Sequence, residues 1–259
     1  MPFSQRNRLR YFQFDSLTVH HAVFTRSGGV SPDPWQSLNM GGTVGDEIER
    51  VRRNRILSYE VMGCKPDSIF DAWQVHGTDV ICAEAPRKMD EPYQKADILL
   101  TDRPEVTLFM RFADCVPILV YDSRKGVAGL AHAGWLGTVR DVAGTTIKAM
   151  QEQYGSNPSD VIACIGPSIG PDHYEVGEDV IAQVGQTFGV DSSLVLPFHN
   201  ERVHFDLWKA NQYLLERAGV RQIELAGICT ACHTDDWFSH RAEKGKTGRF
   251  GALMSLSPL

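Results

Sequence analysis

The 259-residue chain lacks the features that define membrane, secreted and nucleic-acid-binding proteins. Its longest apolar runs, such as VPILVY, are far shorter than the roughly 20 residues that span a bilayer. No apolar segment follows the basic N-terminal stretch MPFSQRNRLRYFQF, so we expect no secretory signal and a cytoplasmic protein. A net charge of -6 gives no reason to expect a basic surface for nucleic acid.

Several sequence motifs are also missing, and each absence excludes a class of protein. No G-x-G-x-x-G follows a strand-like segment, which argues against a dinucleotide-binding fold. The fragment GKTGR resembles the end of a phosphate-binding loop, but His240 occupies the position of the required upstream glycine. There is no His-x-His pair of the kind that gathers copper ions in multicopper oxidases. Without an export signal, the six cysteines are better explained as reduced thiols or ligands than as disulfides.

The hydrophobic pattern predicts an α+β protein with mixed sheets. Since no repeat, low-complexity tract or linker interrupts the sequence, we expect a single domain over residues 1–259. Strand-like segments occur in LTVHHAVF, in a run between residues 68 and 133, in VIACIG and, as the last clear strand, in IELAGIC. Helical periodicity covers residues 47–62 with Asp46 as N-cap, and then 142–154, 176–189 and 205–219. The Pro- and Gly-rich stretch 31–46 is predicted to be a long functional loop.

Three potential metal ligands lie at or near the ends of strand-like segments. They are His76 in AWQVHGTDV, Cys115 in RFADCVPILVYD and His132 in GLAHAGWLGT. Strand ends can converge in a packed protein, and imidazole with thiolate is a ligand set that suits zinc. Three protein ligands leave one coordination position for a reactant, which is typical of a catalytic zinc site. This pattern favours an enzyme.

The spacing alone does not unite these three residues, because no short-range ligand motif connects them. A single cysteine in an apolar run is most often a small core residue, and a single histidine is often a hydrogen-bonded polar side chain. A shared metal site and three separate structural residues are therefore both consistent with the spacing.

Several motifs, in order along nearly the whole chain, resemble the YfiH/laccase-domain family, whose members are described as polyphenol oxidases or as purine nucleoside phosphorylases. The strongest are QVHG at 74–77, ADCVP at 113–117 and AHAGW at 131–135. The resemblance continues in FTRSGGVS at 24–31, SLNMG at 37–41, VRRNR at 51–55, IGPSIGPDHYEVGEDV at 165–180 and FSHRAEKGKTGR at 238–249.

The resemblance implies a four-layer α/β/β/α sandwich, similar to the deamidase domain of cytotoxic necrotizing factor toxins. It implies zinc, with copper as a substitute, held by the residues that match the family ligands, His76, Cys115 and His132. The implied activity is phosphorolysis of adenosine, inosine and S-methyl-5'-thioadenosine, with adenosine deamination alongside. The partners are then purine nucleosides and inorganic phosphate, and we expect a monomer or small homo-oligomer.

Further site residues are expected within the same motifs. Cys115, His132 and Asp114 are the catalytic candidates, Asp114 as a partner of the metal centre or a proton shuttle. Because phosphate favours bidentate arginines, Arg241 and Arg249 are expected to receive it, with Arg26 as a further candidate. Asn39, Gln74 and Ser239 are expected to hydrogen-bond the substrate.

Other functions remain open at this point. A copper-dependent polyphenol oxidase would use the same ligands, since protein sites commonly bind copper more tightly than zinc. A metal-free cysteine hydrolase would use Cys115 as nucleophile and His132 as base. A non-catalytic binding protein is the third alternative, but the many polar motif residues argue against it.

The segment CTACH at 229–233 matches the attachment motif of c-type haem, which would require export. Because Cys-Thr is frequent here in the resembled family, the thiol pair is expected to be structural. A redox dithiol or a second metal site is the alternative.

Overall fold

Two mixed sheets form the centre of the computed structural model, which describes residues 3–88 and 90–258. In these ranges the strands are β1 (Phe3–Arg6), β2 (Leu9–Phe12), β3 (Val19–Phe24), β4 (Ile69–Asp71), β5 (Val80–Cys82), β6 (Ile98–Thr101), β7 (Thr107–Phe112), β8 (Val116–Asp122), β9 (Val127–Ala133), β10 (Val161–Ile165), β11 (Phe198–His199), β12 (Arg202–Val203), β13 (Gln222–Leu225) and β14 (Phe250–Pro258). The α-helices are α1 (Ile48–Val61), α2 (Trp135–Val139), α3 (Val142–Tyr154), α4 (Glu178–Phe188), α5 (Ser192–Val195) and α6 (Leu207–Arg217).

Each large sheet combines an antiparallel centre with a parallel edge. The first has the strand order β1-β2-β3-β14-β7-β4, and its parallel pair is β4 with β7. The second has the order β13-β10-β8-β9-β6-β5, with parallel pairs at both edges. Strands β11 and β12 form a separate hairpin. The expectation of mixed sheets is confirmed.

Three apolar clusters fill the spaces between the layers of the fold. Side chains of α1 such as Tyr59 pack with Phe24 and Phe109 on the outer face of the first sheet. A second cluster lies between the sheets, where Met110 of the first meets Leu119 of the second. The third cluster joins the outer face of the second sheet to α3, α4 and α6. The expected four-layer α/β/β/α sandwich is therefore confirmed.

Strand alternation directs two of the predicted ligands into the space between the sheets. In β8, Val116 and Ile118 pack toward the helices, whereas the preceding Cys115 packs with the inter-sheet cluster. In β9, His132 lies against Phe112 of the first sheet, with ring centroids 5.4 Å apart. The antiparallel register opposes Pro117 to His132, so both ligands emerge at the same end of the sandwich.

Two local predictions differ from the structure. The N-cap of α1 is Glu47 rather than Asp46, because the Asp46 carboxylate instead accepts hydrogen bonds from Ser31 and Asn39. IELAGIC is not the last strand, since β14 follows it and pairs with both β3 and β7. β14 was missed because a central strand with two covered faces lacks polar alternation.

None of the helices in the described part of the chain is both long and apolar enough to cross a membrane.

Candidate metal centre

The three predicted ligands meet at one point of the fold. One potential ligand atom from each of His76, Cys115 and His132 lies within 4.8 Å of the other two. His132 is buried, Cys115 is half-buried and His76 is exposed, so the centre opens to solvent on the His76 side. The three residues line a cavity of about 700 Å³, a size that suits a small-molecule ligand.

A buried carboxylate that the sequence analysis missed organises the centre. Asp97 Oδ1 lies 2.8 Å from Nδ1 of His132, and because a carboxylate only accepts, Nδ1 carries the proton. This hydrogen bond leaves Nε2 of His132 for a metal. The same carboxylate accepts the backbone N–H groups of Val75, His76 and Gly77 at 2.7–3.0 Å.

These backbone contacts explain the position of His76. Its φ of 59° lies in the left-handed region, which a non-glycine residue adopts only where the surroundings hold it. Three hydrogen bonds to Asp97 supply that restraint. The only signal for Asp97 in the sequence is an acidic residue just before an apolar strand, which is too common to identify a site.

The electrostatics favour a thiolate at the centre. Burial by itself raises the pKa of Cys115, but the charge of His132 and hydrogen bonds from His132 and His76 outweigh it and lower the pKa to about 6. Burial by itself lowers the pKa of His132, but Cys115 and Asp97 raise it to about 9. Since metals bind the thiolate form of cysteine, this environment prepares Cys115 as a ligand.

Glycine at position 134 allows the ligands to approach one another. A Cβ added to Gly134 would lie 3.0 Å from Cys115 Sγ and 3.0 Å from His76 Cδ2. Two imidazoles and one thiolate are a donor set that suits zinc or copper, and three ligands leave a coordination position for a reactant. The residues present therefore fit a catalytic metal.

A group of arginines lies on the same cavity wall. Arg55, Arg111 and Arg249 line the cavity, and Asp71 accepts a salt bridge from Arg111 at 3.0 Å. Arg55 lies 3.7 Å from the same carboxylate. Arg87, which does not line the cavity, lies 2.9 Å from that carboxylate. Three guanidinium groups thus share one carboxylate. Burial, and after it the charge of Arg55, lower the pKa of Arg111. Three positive charges around the single negative charge of Asp71 suit this group to an anion.

Aromatic side chains form another part of the cavity wall. Trp73 and Tyr93 line it and are 48% and 40% exposed. Trp135 and Tyr174 also line it. Flat rings beside an anion-binding group are suited to a ligand that combines a planar base with a polar part.

Besides the three candidate ligands, four predicted site residues lie on the cavity wall: Gln74, Asp114, Arg241 and Arg249. The amide of Gln74 is bonded to the backbone and side chain of Arg111, so it orients that guanidinium. The Asp114 carboxylate accepts Thr230 Oγ1 at 2.7 Å and the Arg241 backbone N–H at 2.6 Å. Asp114 therefore joins the C-terminal motif to Cys115.

Three other predicted residues lie outside the cavity wall. Asn39 is fully buried, and its Oδ1 accepts the backbone N–H of Arg249 at 2.9 Å. Ser239 is fully buried and accepts the Ala242 N–H. Arg26 forms a salt bridge with Glu243 at 3.0 Å and stacks on Phe238. Their contacts position the loops that carry the cavity residues.

The chain has sequence relatives along nearly its whole length. Residues 20–257 match the family described as multi-copper polyphenol oxidoreductase laccase. The chain belongs to this family. The resemblance that its motifs indicated is thereby confirmed.

Two purine nucleoside phosphorylases are similar to the chain over almost their whole length. The chain is 37% identical over 254 residues to a purine nucleoside phosphorylase of Bacteroides thetaiotaomicron, covering 93% of this chain and 94% of that protein. It is 38% identical over 241 residues to a purine nucleoside phosphorylase of Deinococcus radiodurans, covering 93% and 90%.

The fold also matches a solved structure. The crystal structure of the hypothetical protein YfiH from Bacillus licheniformis superimposes with a TM-score of 0.92 at 32% identity, over 99% of each chain. The similarity therefore covers the fold from end to end.

Proposed function

We propose that the chain is a zinc-dependent purine nucleoside phosphorylase. Its proposed substrates are adenosine, inosine and S-methyl-5'-thioadenosine with inorganic phosphate, and adenosine deamination is proposed as a side activity. The observation that carries the proposal is that a three-ligand centre, an arginine group and exposed aromatic rings line one cavity. The names of the Bacteroides and Deinococcus relatives support the same activity.

The proposed reaction places a distinct demand on each part of the cavity. A phosphate oxygen bonds to the anomeric carbon of ribose while the glycosidic C–N bond breaks. The purine nitrogen keeps the electron pair and gains the proton that the phosphate loses. Zinc bound at the centre would supply Lewis-acid polarisation of a substrate atom. Arg55 and Arg111 would hold the phosphate, since their charge exceeds that of Asp71 and guanidinium groups match phosphate geometry.

The remaining side chains would orient the nucleoside. A purine would stack on the ring of Trp73, or on the face of Tyr93 opposite the one that Arg87 covers at 4.0 Å. Arg249 is held near the ligands by Asn39, and burial lowers its pKa, so it would gain from a nearby anion. Gln74 would keep Arg111 in place during the reaction.

A second candidate function is favoured by one specific arrangement. Asp97, His132 and Cys115 are connected in the order acid, base and nucleophile, which a metal-free cysteine hydrolase would use. Polyphenol oxidation with copper is the third candidate, supported by the description of the family. The arginine group favours the phosphorylase, because neither alternative requires an anion site.

The test is to incubate the purified protein with a panel of nucleosides, with and without phosphate, and to separate bases and sugar phosphates. We expect release of base only with phosphate, and loss of activity after chelation that added zinc restores. Retained activity without metal would instead support the cysteine hydrolase. Purification without added copper, followed by metal analysis, separates zinc-dependent phosphorolysis from oxidation by copper.

Cys115→Ala should abolish phosphorolysis and deamination together, because both are proposed to use one centre. Cys64→Ala is the matched control, since Cys64 is half-buried behind α1 and does not line the cavity. Normal phosphorolysis by the Cys115 variant would refute the shared centre.

A further inference from the structure

A second group of potential metal ligands lies apart from the cavity, where the loop after β10 meets the loop after β13. It consists of Asp172, His173, Cys229 and Cys232, and one ligand atom from each lies within 4.8 Å of the others. His173 Nδ1 lies 3.5 Å from Cys232 Sγ and 3.8 Å from Cys229 Sγ. Asp172 Oδ2 lies 3.0 Å from His173 Nδ1 and 3.1 Å from Cys232 Sγ.

These separations are close to the edges of a zinc coordination tetrahedron. Zinc lies about 2.3 Å from sulfur and about 2.1 Å from nitrogen or oxygen, which puts neighbouring ligand atoms roughly 3.4–3.8 Å apart. Both sulfur–nitrogen distances fall at that spacing, at 3.5 and 3.8 Å. The two contacts of Asp172 are a few tenths of an ångström shorter, which a small rotation of an exposed carboxylate can correct.

The backbone holds the two loops in register at this point. Ser168 forms an isolated parallel bridge with Cys229, and Thr230 donates to the Ser168 carbonyl at 3.0 Å. A turn in which the His233 N–H bonds the Cys229 carbonyl brings the Cys-x-x-Cys pair together. The Gly170 N–H also points at Cys229 Sγ from 3.2 Å, the kind of contact that supports a metal-bound thiolate.

Four protein ligands make this group different from the three-ligand centre. Two sulfurs, one imidazole and one carboxylate would fill a tetrahedral zinc, which is the pattern of a structural site. Cys229 is buried, whereas the other three residues are exposed, so a cation has a path of entry.

We propose that Asp172, His173, Cys229 and Cys232 bind a structural zinc that fastens the loop at 166–176 to the loop at 228–236. This zinc would hold in place two loops that contribute to or contact the cavity wall. Tyr174, next to His173, lines the cavity, and Thr230, next to Cys229, donates to Asp114. The inference does not depend on which reaction the cavity performs.

The test is the zinc content of four purified proteins, measured by inductively coupled plasma mass spectrometry: the wild type, Cys115→Ala, Cys232→Ala and Cys64→Ala. We expect Cys232→Ala and Cys115→Ala each to lose one zinc ion per chain relative to the wild type, and Cys64→Ala to lose none. Cys232 is exposed, so its alanine variant should fold. An unchanged zinc content in Cys232→Ala would overturn the proposal.

Cobalt provides a second readout that is independent of activity. In the Cys115→Ala background, added Co²⁺ should give a thiolate-to-cobalt charge-transfer band, and a further Cys232→Ala or Asp172→Asn substitution should weaken or remove it. A disulfide between Cys229 and Cys232 in protein purified under reducing conditions, detected by mass spectrometry, would overturn the proposal. So would an unchanged cobalt spectrum in both further variants.

Discussion

The carboxylate of Asp97 connects two of the three ligands of the candidate centre. It accepts a hydrogen bond from Nδ1 of His132 at 2.8 Å and another from the backbone N–H of His76 at 3.0 Å. One buried residue therefore fixes the tautomer of one histidine and the backbone of the other. Carboxylates that orient ligating histidines in this way strengthen metal binding by holding the ring in place.

Replacing this carboxylate with an amide should weaken the metal centre. In the wild type, backbone N–H groups of the turn at residues 75–77 donate to Asp97 Oδ2. In Asp97→Asn an amide N–H₂ would replace one carboxylate oxygen, so the turn would lose hydrogen bonds. We expect zinc affinity to fall by about 10- to 100-fold, as for other partners of ligating histidines. Competition with a chromogenic chelator measures the zinc affinity of both proteins.

Asp79→Asn provides the control, because Asp79 is exposed and contributes backbone rather than side-chain contacts to Asp97. Equal zinc affinity in Asp97→Asn and the wild type would show that Asp97 serves the fold alone.

Gly134→Ala should also impair the centre, for a steric reason. The added methyl would lie 3.0 Å from both Cys115 Sγ and His76 Cδ2, closer than ordinary van der Waals contact. We expect the variant to fold with reduced zinc content, measured as metal per chain. Gly185→Ala is the matched control, since nothing lies within 4 Å of its added Cβ, and its zinc content should not change. Full zinc occupancy in Gly134→Ala would contradict the close approach.

Arg55→Met tests the proposed phosphate contacts. Methionine keeps an unbranched apolar stem but removes the charge, and a hydrogen bond to a charged group contributes about 1.5–3 kcal/mol. The KM for phosphate should therefore rise about 10- to 150-fold, whereas the KM for the nucleoside should change little. Steady-state kinetics with each substrate varied in turn measures both. Arg53→Met, on the exposed face of the same helix, should leave both values unchanged. A rise confined to the nucleoside KM would place phosphate elsewhere.

Much of the fold was predictable because local patterns agree with it. The helix predicted over 142–154 has those bounds in the structure, where Asp141 caps one end and Gly155 the other. Strands β1, β2 and β14 were not predicted. They are short or covered on both faces, so local sequence carries little strand signal. Whether they form strands depends on the strands beside them, which are distant in sequence.

The three residues that converge at the candidate centre were easier to predict than the other contacts of the site. His76, Cys115 and His132 are recognisable because metal chemistry restricts the residue types and the motifs preserve them. Asp97 and Arg111 were missed, because carboxylates and arginines are common and only tertiary packing brings these two to the site. Conversely, Asn39 lies in a motif but acts through Arg249.

The core thiol of Cys164 should make stability depend on alkaline pH. Burial between the sheets raises its pKa to about 12, whereas an unfolded cysteine titrates near 8.5. The unfolded chain thus loses this proton first, so the free energy of unfolding falls as pH rises above about 8.5. Between pH 8 and pH 10 the loss from this group should be about 2 kcal/mol.

Urea unfolding of the wild type and Cys164→Ala at both pH values, with a reductant present, isolates this contribution. The variant should be less stable at pH 8, because a buried side chain is shortened, but its stability should decline less toward pH 10. Parallel declines in the two proteins would mean that the thiol is no harder to ionise in the folded core than in the unfolded chain. The side chain of Cys164, in β10, packs in the cluster between the two sheets. That result would therefore also imply that water reaches this cluster.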